Sequence, residues 1–180
     1  RKLAHHDPLT GLANRALLYD ELRRIIARGK RSGDMFALLM VDLDGFKLVN
    51  DTHGHAIGDQ LLETIAARLQ ECVRVSDTVA RLGGDEFVVV VEGVLDEEQA
   101  LAIGAKLIVT LSRPATVDTQ VVQVGASVGV ALWPLDSDDL DSLLLAADRA
   151  MYLAKEGGRG QCCLASATVG SAPDQKQNGE

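Results

Sequence analysis

The chain has 180 residues, of which 47% are hydrophobic and 3% aromatic, with a formal net charge of −8 and an isoelectric point near 5.0. This length and composition allow one sizeable aliphatic core, so a single domain is expected. The acidic balance argues against a protein that tracks a nucleic-acid backbone, because such binding depends on clustered Lys and Arg. A single nucleotide that arrives with Mg²⁺ is compatible with it.

No apolar stretch approaches the roughly 20 residues that cross a bilayer, and no signal peptide is visible. We therefore expect a cytoplasmic chain without direct membrane insertion. The chain begins at Arg1 rather than at a methionine, which suggests a piece of a longer protein that is membrane-anchored or sensory upstream. The three cysteines and four histidines lack metal-ligand spacing, so we expect reduced thiols and surface or capping imidazoles.

The first half of the chain predicts two helices around a central strand. Apolar residues recur on one helical face from about Asn14 to Ala27, and Gly29–Gly33 is predicted to end that helix. Phe36–Leu43 predicts a buried strand, followed by a turn at Asp44-Gly45. A second helix is predicted from about Ile57 to Cys72.

Next comes the most informative stretch, Arg-Leu-Gly-Gly-Asp-Glu-Phe at residues 81–87. Thr78–Leu82 and Glu86–Val91 predict a hairpin, because Gly83-Gly84 supplies the positive φ angles of a two-residue turn. The apolar run after Glu86 fits a strand buried on both faces.

The second half predicts two more helices and the remaining strands. A third helix is predicted over Glu97–Leu111, with Leu101, Ala105 and Ile108 facing inward. Thr119–Leu132 is rich in valine but interrupted by glycines, which favours a hairpin or a bulged strand.

Asp138 or Asp139 is predicted to cap a fourth helix that reaches Glu156. A short strand near Gln161–Ala165 closes the predicted sheet, so the domain spans residues 1–165. Residues 166–180 are predicted to form a disordered tail. Strands that alternate with helices but include a tight hairpin favour an α+β fold, with an antiparallel-rich sheet and helices on one face.

Carboxylates cluster where two of these strands end. Asp42 ends the first strand and Asp85 lies in the hairpin turn, so neighbouring strands bring the two together as hard ligands for Mg²⁺. Glu86 points to the opposite face and is a candidate second-metal ligand or general base. Considered alone, Asp42 is equally explained as a turn residue.

Further polar groups surround this edge. Backbone N–H groups of Gly45, Phe46 and Lys47 form a candidate phosphate nest. Asn50 and Asp59 suit a purine edge, guanine in particular, although both are also typical helix caps. Lys155 and Arg159 lie near the end of the last predicted helix. They are candidates for triphosphate binding, or are explained without function by the favourable interaction of cations with the helix dipole.

Four long motifs, in order, resemble the GGDEF family of bacterial diguanylate cyclases over about residues 4–160. They begin at Asp7 (DPLTGLANR), Asp42 (DLDGFKLVND), Gly83 (GGDEF) and Ala147 (ADRAMYLAK). The resemblance implies a nucleotidyl-cyclase palm derived from the ferredoxin-like fold, with a central, mostly antiparallel five-stranded sheet flanked by helices.

The resemblance also implies the chemistry. Two GTP molecules would condense to cyclic di-3′,5′-GMP with release of two pyrophosphates, with Mg²⁺ (or Mn²⁺) on Asp42, Asp85 and the Leu43 carbonyl. Glu86 would be the candidate base. Guanine would be bound by Asn50 and Asp59, and the phosphates by Gly45, Phe46, Lys47, Lys155 and Arg159. Since each GTP attacks the other, a homodimer is needed.

Arg74 and Asp77 precede the signature as an Arg-x-x-Asp pair. Alone, this pair is more often a surface ion pair. At this offset it matches the family's inhibitory site, which implies that cyclic di-GMP is both product and inhibitor, with Arg74 on the guanine O6/N7 edge.

Two departures and two alternatives accompany the resemblance. Gly45 stands where many members carry a larger residue, and Gly160 where many carry Asn.

A GGDEF-type receptor module that binds cyclic di-GMP or GTP without turnover is the main alternative, and a cyclase for another purine nucleotide is the other. The intact acidic signature favours the enzyme.

Overall fold

A computed structural model describes residues 4–168 of the chain. Along the chain the elements are α1 (Arg15–Ser32), β1 (Met35–Asp44), α2 (Phe46–His53), α3 (His55–Cys72), β2 (Thr78–Gly83), β3 (Glu86–Val94), α4 (Glu97–Leu111), β4 (Ala115–Val117), β5 (Gln120–Val122), β6 (Gly125–Trp133), α5 (Leu140–Glu156) and β7 (Cys162–Leu164).

Five strands form the central sheet in the order β2-β3-β1-β6-β7, and β4 and β5 form a separate hairpin. All neighbours are antiparallel except β6 and β7. This arrangement confirms the predicted α+β class with a mostly antiparallel five-stranded sheet flanked by helices.

Helices cover both faces of the sheet, so the prediction of helices on one face is wrong. One apolar cluster joins α2, α3 and α4 to alternate residues of β1 and β3. A second cluster joins α1 and α5 to the intervening residues of the same strands. Because β1 and β3 are apolar at nearly every position, each face of the sheet needs its own cover.

Several predicted element bounds shift for reasons of packing. Helix α1 continues through Gly29 to Ser32 and is capped by Gly33; Gly29 lies against the Trp133 ring, where a Cβ would come within 2.4 Å. Helix α4 has the predicted bounds, but its fully buried stripe is displaced by one position from the predicted one. The stripe consists of Ala100, Gly104, Leu107 and Leu111.

Gly104 explains that displacement. A Cβ at this position would lie 2.4 Å from the Cys162 sulfur, so the helix presents its glycine, not a larger residue, to β7. Gly129 acts similarly on the other face: β6 pairs with β1 without a bulge, and the missing side chain lets the α5 backbone approach.

At the C-terminal end, the described residues comprise helix α5, strand β7 and a short 3₁₀ helix. Asp139 caps α5, accepting from the Ser142 N–H at 3.0 Å. Residues 165–168 form a short 3₁₀ helix, where the tail had been predicted to begin, and the rest of that predicted tail lies outside the described residues. Among residues 4–168, no helix combines the length and apolar composition needed to span a bilayer.

Candidate functional site

Three acidic residues meet at one end of the sheet. Asp42, near the end of β1, pairs across the strands with Glu86, the first residue of β3. Asp85 lies in the turn before β3, and its carbonyl accepts a hydrogen bond from the Leu43 N–H at 3.3 Å. The turn places Asp85 beside β1 because Gly83 (φ 145°) and Gly84 (φ 52°) take backbone conformations that other residues rarely adopt.

The carboxyl groups of Asp42 and Asp85 lie close enough to perturb each other. Burial, the negative charge of Asp42 and a hydrogen bond to Asp42 raise the pKa of Asp85 to about 6. With Asp85 ionised, Asp42 Oδ1 is buried without a hydrogen-bond partner. A buried carboxylate oxygen that faces a second carboxylate is a position that a divalent cation stabilises.

Helix α5 brings a cation to the pair. Its last turn carries Lys155, whose ammonium group contacts Asp42 Oδ2. The close approach of α5 to β6 at Gly129 fixes this position, since a Cβ there would lie 2.1 Å from the Ala147 carbonyl oxygen.

Glu86 lies on the α1 and α5 side of the sheet, in a cavity of about 710 Å³ that Asp42, Asp148, Tyr152 and Lys155 also line. Burial and the negative charges of Asp42 and Asp148 raise the pKa of Glu86, which the positive charges of Arg15 and Lys155 partly offset. A carboxylate with a raised pKa in a cavity is a candidate for proton transfer.

The predicted phosphate nest is the start of a short helix that the sequence did not predict. Gly45 (φ 84°) is the N-cap of α2 and has no side chain to cap it, so the N–H groups that follow, including those of Phe46 and Lys47, are free for a ligand. The Lys47 side chain is exposed, whereas Phe46 is buried in the core.

The two predicted guanine-binding residues lie on consecutive helices. Asn50, in the last turn of α2, has a buried Oδ1 without a hydrogen-bond partner. Its side chain lies against Gly58, where a Cβ would come within 1.8 Å of that oxygen. Asp59 is the next residue of α3 and is exposed. Asp59 therefore directly follows the glycine against which the Asn50 side chain lies.

Arg159 follows α5 in a turn that returns to the sheet. Its backbone is left-handed (φ 64°), and its side chain is exposed. The next residue, Gly160, donates its N–H to Asp44 Oδ2 at 3.1 Å. The strand that carries Asp42 therefore also contacts the turn that carries Arg159.

A clamp on the signature turn was missed by the sequence-based site prediction. Arg81 donates to the Gly84 carbonyl from Nε (3.0 Å) and Nη2 (2.9 Å), and its Nη1 pairs with Asp7 at 3.0 Å. Burial raises the pKa of Asp7, but hydrogen bonds from Thr10 and the Arg81 guanidinium outweigh it and lower that pKa below its usual value. The available signal was that Asp7 opens the first quoted motif and that Arg81 lies two residues before the GGDEF motif.

Arg74 and Asp77 lie at the opposite end of β2 from Asp85. Asp77 Oδ2 accepts from the Arg74 N–H at 2.9 Å, Asp77 Oδ1 accepts from the Glu92 N–H at 3.2 Å, and the Asp77 side chain is 2% exposed. The Arg74 side chain is 66% exposed and donates to the Glu92 carbonyl at 2.6 Å. Arg74 is thus accessible to a ligand, while Asp77 is engaged in holding the loop.

The family model for the GGDEF domain of diguanylate cyclases matches residues 4–161. The bifunctional diguanylate cyclase/cyclic di-GMP phosphodiesterase MucR of Pseudomonas aeruginosa is 44% identical over 98% of this chain. The chain spans only 26% of MucR, and between 20% and 38% of the next two curated relatives.

Solved structures agree with this match. The GGDEF domain of PA1120 (TpbB or YfiN) from Pseudomonas aeruginosa superposes with a TM-score of 0.86 at 41% identity, covering 89% of this chain and 94% of that one. The GGDEF domain of DgcB from Caulobacter crescentus, solved in complex with c-di-GMP, gives 0.82 at 31% identity, covering 92% and 98%. With its fold and its acidic hairpin, the chain belongs to the GGDEF family of diguanylate cyclase domains.

Proposed function

We propose that this chain condenses two GTP molecules into cyclic di-3′,5′-GMP and releases two pyrophosphates. The convergence of Asp42 and Asp85 beside Lys155 carries the proposal. Two mutually repelling carboxylates, one with a buried oxygen that lacks a partner, form a site whose charge a metal–nucleotide complex would balance.

The donor set fits Mg²⁺ or Mn²⁺ on Asp42, Asp85 and the Leu43 carbonyl. Among residues 4–168 there is no group of three or more His, Cys, Asp or Glu side chains arranged to hold a metal alone. This suits Mg²⁺, which is commonly held by one or two carboxylates together with substrate phosphates and water. When bound, the ion would neutralise charge on the phosphates.

The remaining residues would bind and orient the nucleotide. Lys155 and Arg159 supply positive charge for the triphosphate, and the free N–H groups at the start of α2 supply hydrogen-bond donors for its oxygens. The Asn50 amide and the Asp59 carboxylate would read the guanine edge.

Glu86 is the proposed base for the ribose 3′-hydroxyl. Glu86 has a raised pKa and lines the cavity on the α1 and α5 side of the sheet, away from α2 and α3. This role is distinct from that of Asp85, whose carboxylate faces Asp42.

Catalysis would need two copies of the chain. Both phosphodiester bonds of the product join the 3′-oxygen of one GTP to the α-phosphorus of the other, and each chain offers one acidic pair. Two chains that face each other across a two-fold axis would supply both halves.

Product inhibition is proposed to depend on Arg74. Its exposed guanidinium suits bidentate contact with guanine O6 and N7. Because both Asp77 oxygens accept backbone N–H groups, Asp77 would hold the loop and would contact guanine only after rearrangement.

The test is incubation of a dimer-forcing fusion of this chain with GTP and Mg²⁺, followed by chromatography of the products. The wild-type fusion should form cyclic di-GMP, and Asp85→Asn should not. Asp34→Asn, a change at an exposed carboxylate at the other end of β1, is the matched control. If the wild type binds GTP or cyclic di-GMP but forms no product, the chain is a receptor module instead.

A further inference from the structure

The turn after α5 has an unusual backbone. Three consecutive residues take positive φ angles: Gly158 (115°), Arg159 (64°) and Gly160 (61°). Left-handed backbone is unfavourable for a side chain such as that of Arg159, and it persists where surrounding contacts over-determine it. The turn therefore needs anchors on both sides of Arg159.

One anchor is the end of α5. The Arg159 N–H donates to the Ala154 carbonyl at 3.0 Å, and the Gly157 N–H donates to the Leu153 carbonyl at 2.9 Å. These bonds close the helix on one side of Arg159. Beyond Gly160, the Gln161 carbonyl accepts the Val128 N–H at 3.0 Å and the Gln161 amide donates to the Ala154 carbonyl at 2.9 Å.

The second anchor comes from β1. Asp44 Oδ2 accepts the Gly160 N–H at 3.1 Å. Asp44 is itself held by the hydroxyl of Ser127, which is fully buried and donates to the two carboxylate oxygens at 2.9 and 2.8 Å. A buried hydroxyl thus orients Asp44, and Asp44 orients the turn.

We propose that Asp44 is a positioning residue for Arg159. Asp42 and Asp44 lie two positions apart on β1 and so point to the same face of the sheet. One strand thereby carries both the carboxylate of the candidate metal site and the anchor of the proposed triphosphate-binding arginine. This inference rests on the proposed role of Arg159.

The hydrogen bonds of Asp44 indicate an anchoring role and not that of a third metal ligand. Both Asp44 oxygens accept hydrogen bonds from the protein, whereas Asp42 Oδ1 has no partner when Asp85 is ionised. Asn can replace Asp44 in this role, because its oxygen can accept from Gly160 while its amide donates to the Ser127 hydroxyl.

Calorimetric binding of GTP and GMP, with Mg²⁺ present, tests the role without turnover. Asp44→Ala should weaken GTP binding about tenfold and leave GMP binding unchanged, because GMP lacks the β- and γ-phosphates. Asp44→Asn should stay near wild type, and Ser127→Ala should give an intermediate loss. In an Arg159→Ala background, Asp44→Ala should have no further effect.

Two binding outcomes would overturn the inference. If Asp44→Asn loses affinity as severely as Asp44→Ala, the charge matters and Asp44 acts on the metal instead. If GMP binding falls as much as GTP binding, Asp44 supports the whole site and not Arg159 in particular.

Trypsin cleavage after Arg159 tests the anchor independently of any nucleotide. Asp44→Ala and Ser127→Ala should speed cleavage of the Arg159–Gly160 bond, whereas Asp44→Asn should not; equal rates in all variants would refute the anchor. A wild-type chain that forms no product would defeat the proposed function, while the cleavage rates would still decide the anchor.

Discussion

The two ends of the central sheet both carry clustered charges, but they balance them differently. At one end Asp77 accepts two backbone N–H groups, and Glu92 pairs with Arg28 at 2.6 Å. At the other end Asp42 and Asp85 repel each other, with Lys155 in contact with Asp42. The first end is completed by the chain's own contacts, whereas the second would be completed by a cation and its ligand.

The largest expected effect comes from removing one carboxylate of the repelling pair. Asp85→Asn should reduce cyclic di-GMP formation on the order of a thousandfold, since a metal contributes several kcal/mol of charge stabilisation. Product chromatography on the dimer-forcing fusion measures it. Activity within tenfold of wild type would show that this end of the sheet does not hold the catalytic metal.

The clamp between Arg81, Asp7 and the Gly84 carbonyl should come next. Arg81→Lys keeps the charge but loses the planar guanidinium that contacts Gly84 and Asp7 at once. We therefore expect activity to fall by about 10- to 100-fold, as for groups that orient metal ligands. The free energy of unfolding should fall by about 1–3 kcal/mol, because charged hydrogen bonds are lost in a mostly buried pair.

Product yield and urea unfolding measure the two effects of this change, with Arg23→Lys on the exposed face of α1 as the control. An Arg81→Lys chain that keeps full activity would mean that the turn holds Asp85 without the clamp.

At the end of the sheet that carries Arg74 and Asp77, substitutions of these two residues should have different effects: one on stability and the other on product inhibition. Asp77→Ala should lower the unfolding free energy by about 1–2 kcal/mol, because two backbone N–H groups lose their acceptor. Arg74→Ala should change stability little, since its side chain is largely exposed, and it should abolish feedback inhibition.

Inhibition curves with added cyclic di-GMP and urea unfolding measure these two outcomes. An Arg74→Ala enzyme that added product still blocks would remove Arg74 from the inhibitory site.

The smallest expected effect is the pH dependence of the metal-free chain. The fold raises the pKa of Asp85 from 3.8 to about 6, so the folded chain binds a proton at Asp85 more tightly than the unfolded chain does. The contribution of Asp85 to the free energy of unfolding is fully present below pH 3.8 and is lost as the pH rises through 6. Since Asp85 is only partly buried, the loss should be about 1 kcal/mol after solvent screening.

Thermal unfolding in a chelator, from pH 4 to 8, measures this loss. Asp85→Asn should lack this loss, and at pH 7 Mg²⁺ should raise the stability of the wild type but leave that of the variant unchanged. Identical pH profiles for the two chains would contradict the repulsion between Asp42 and Asp85.

Local patterns predicted much of this molecule. The hairpin around Gly83-Gly84 and the bounds of α4 follow from turn chemistry and periodicity, which act between near neighbours. Helix α2 and the continuation of α1 through Gly29 were missed, because they depend on contacts such as that between Gly29 and Trp133. Tertiary packing overrides local signals at these positions.

The same division holds within the site. The acidic residues Asp42, Asp85 and Glu86 stand out in the sequence because Asp42 and Glu86 lie at ends of predicted strands and Asp85 lies in the predicted turn between two of them. The bond from Arg81 to Asp7 joins residues 74 positions apart, and that from Gly160 to Asp44 joins residues 116 positions apart. Local spacing carries no information about such pairs.

Mixed dimers test most directly whether the acidic pair is one half of a two-chain active site. A dimer with one wild-type and one Asp85→Asn chain would be purified and incubated with GTP and Mg²⁺, and its products separated by chromatography. One intact half-site should form one phosphodiester bond, so a linear dinucleotide triphosphate should accumulate with one pyrophosphate and little cyclic product. Cyclic di-GMP at half the wild-type rate would show that each chain makes both bonds, and would contradict the shared site.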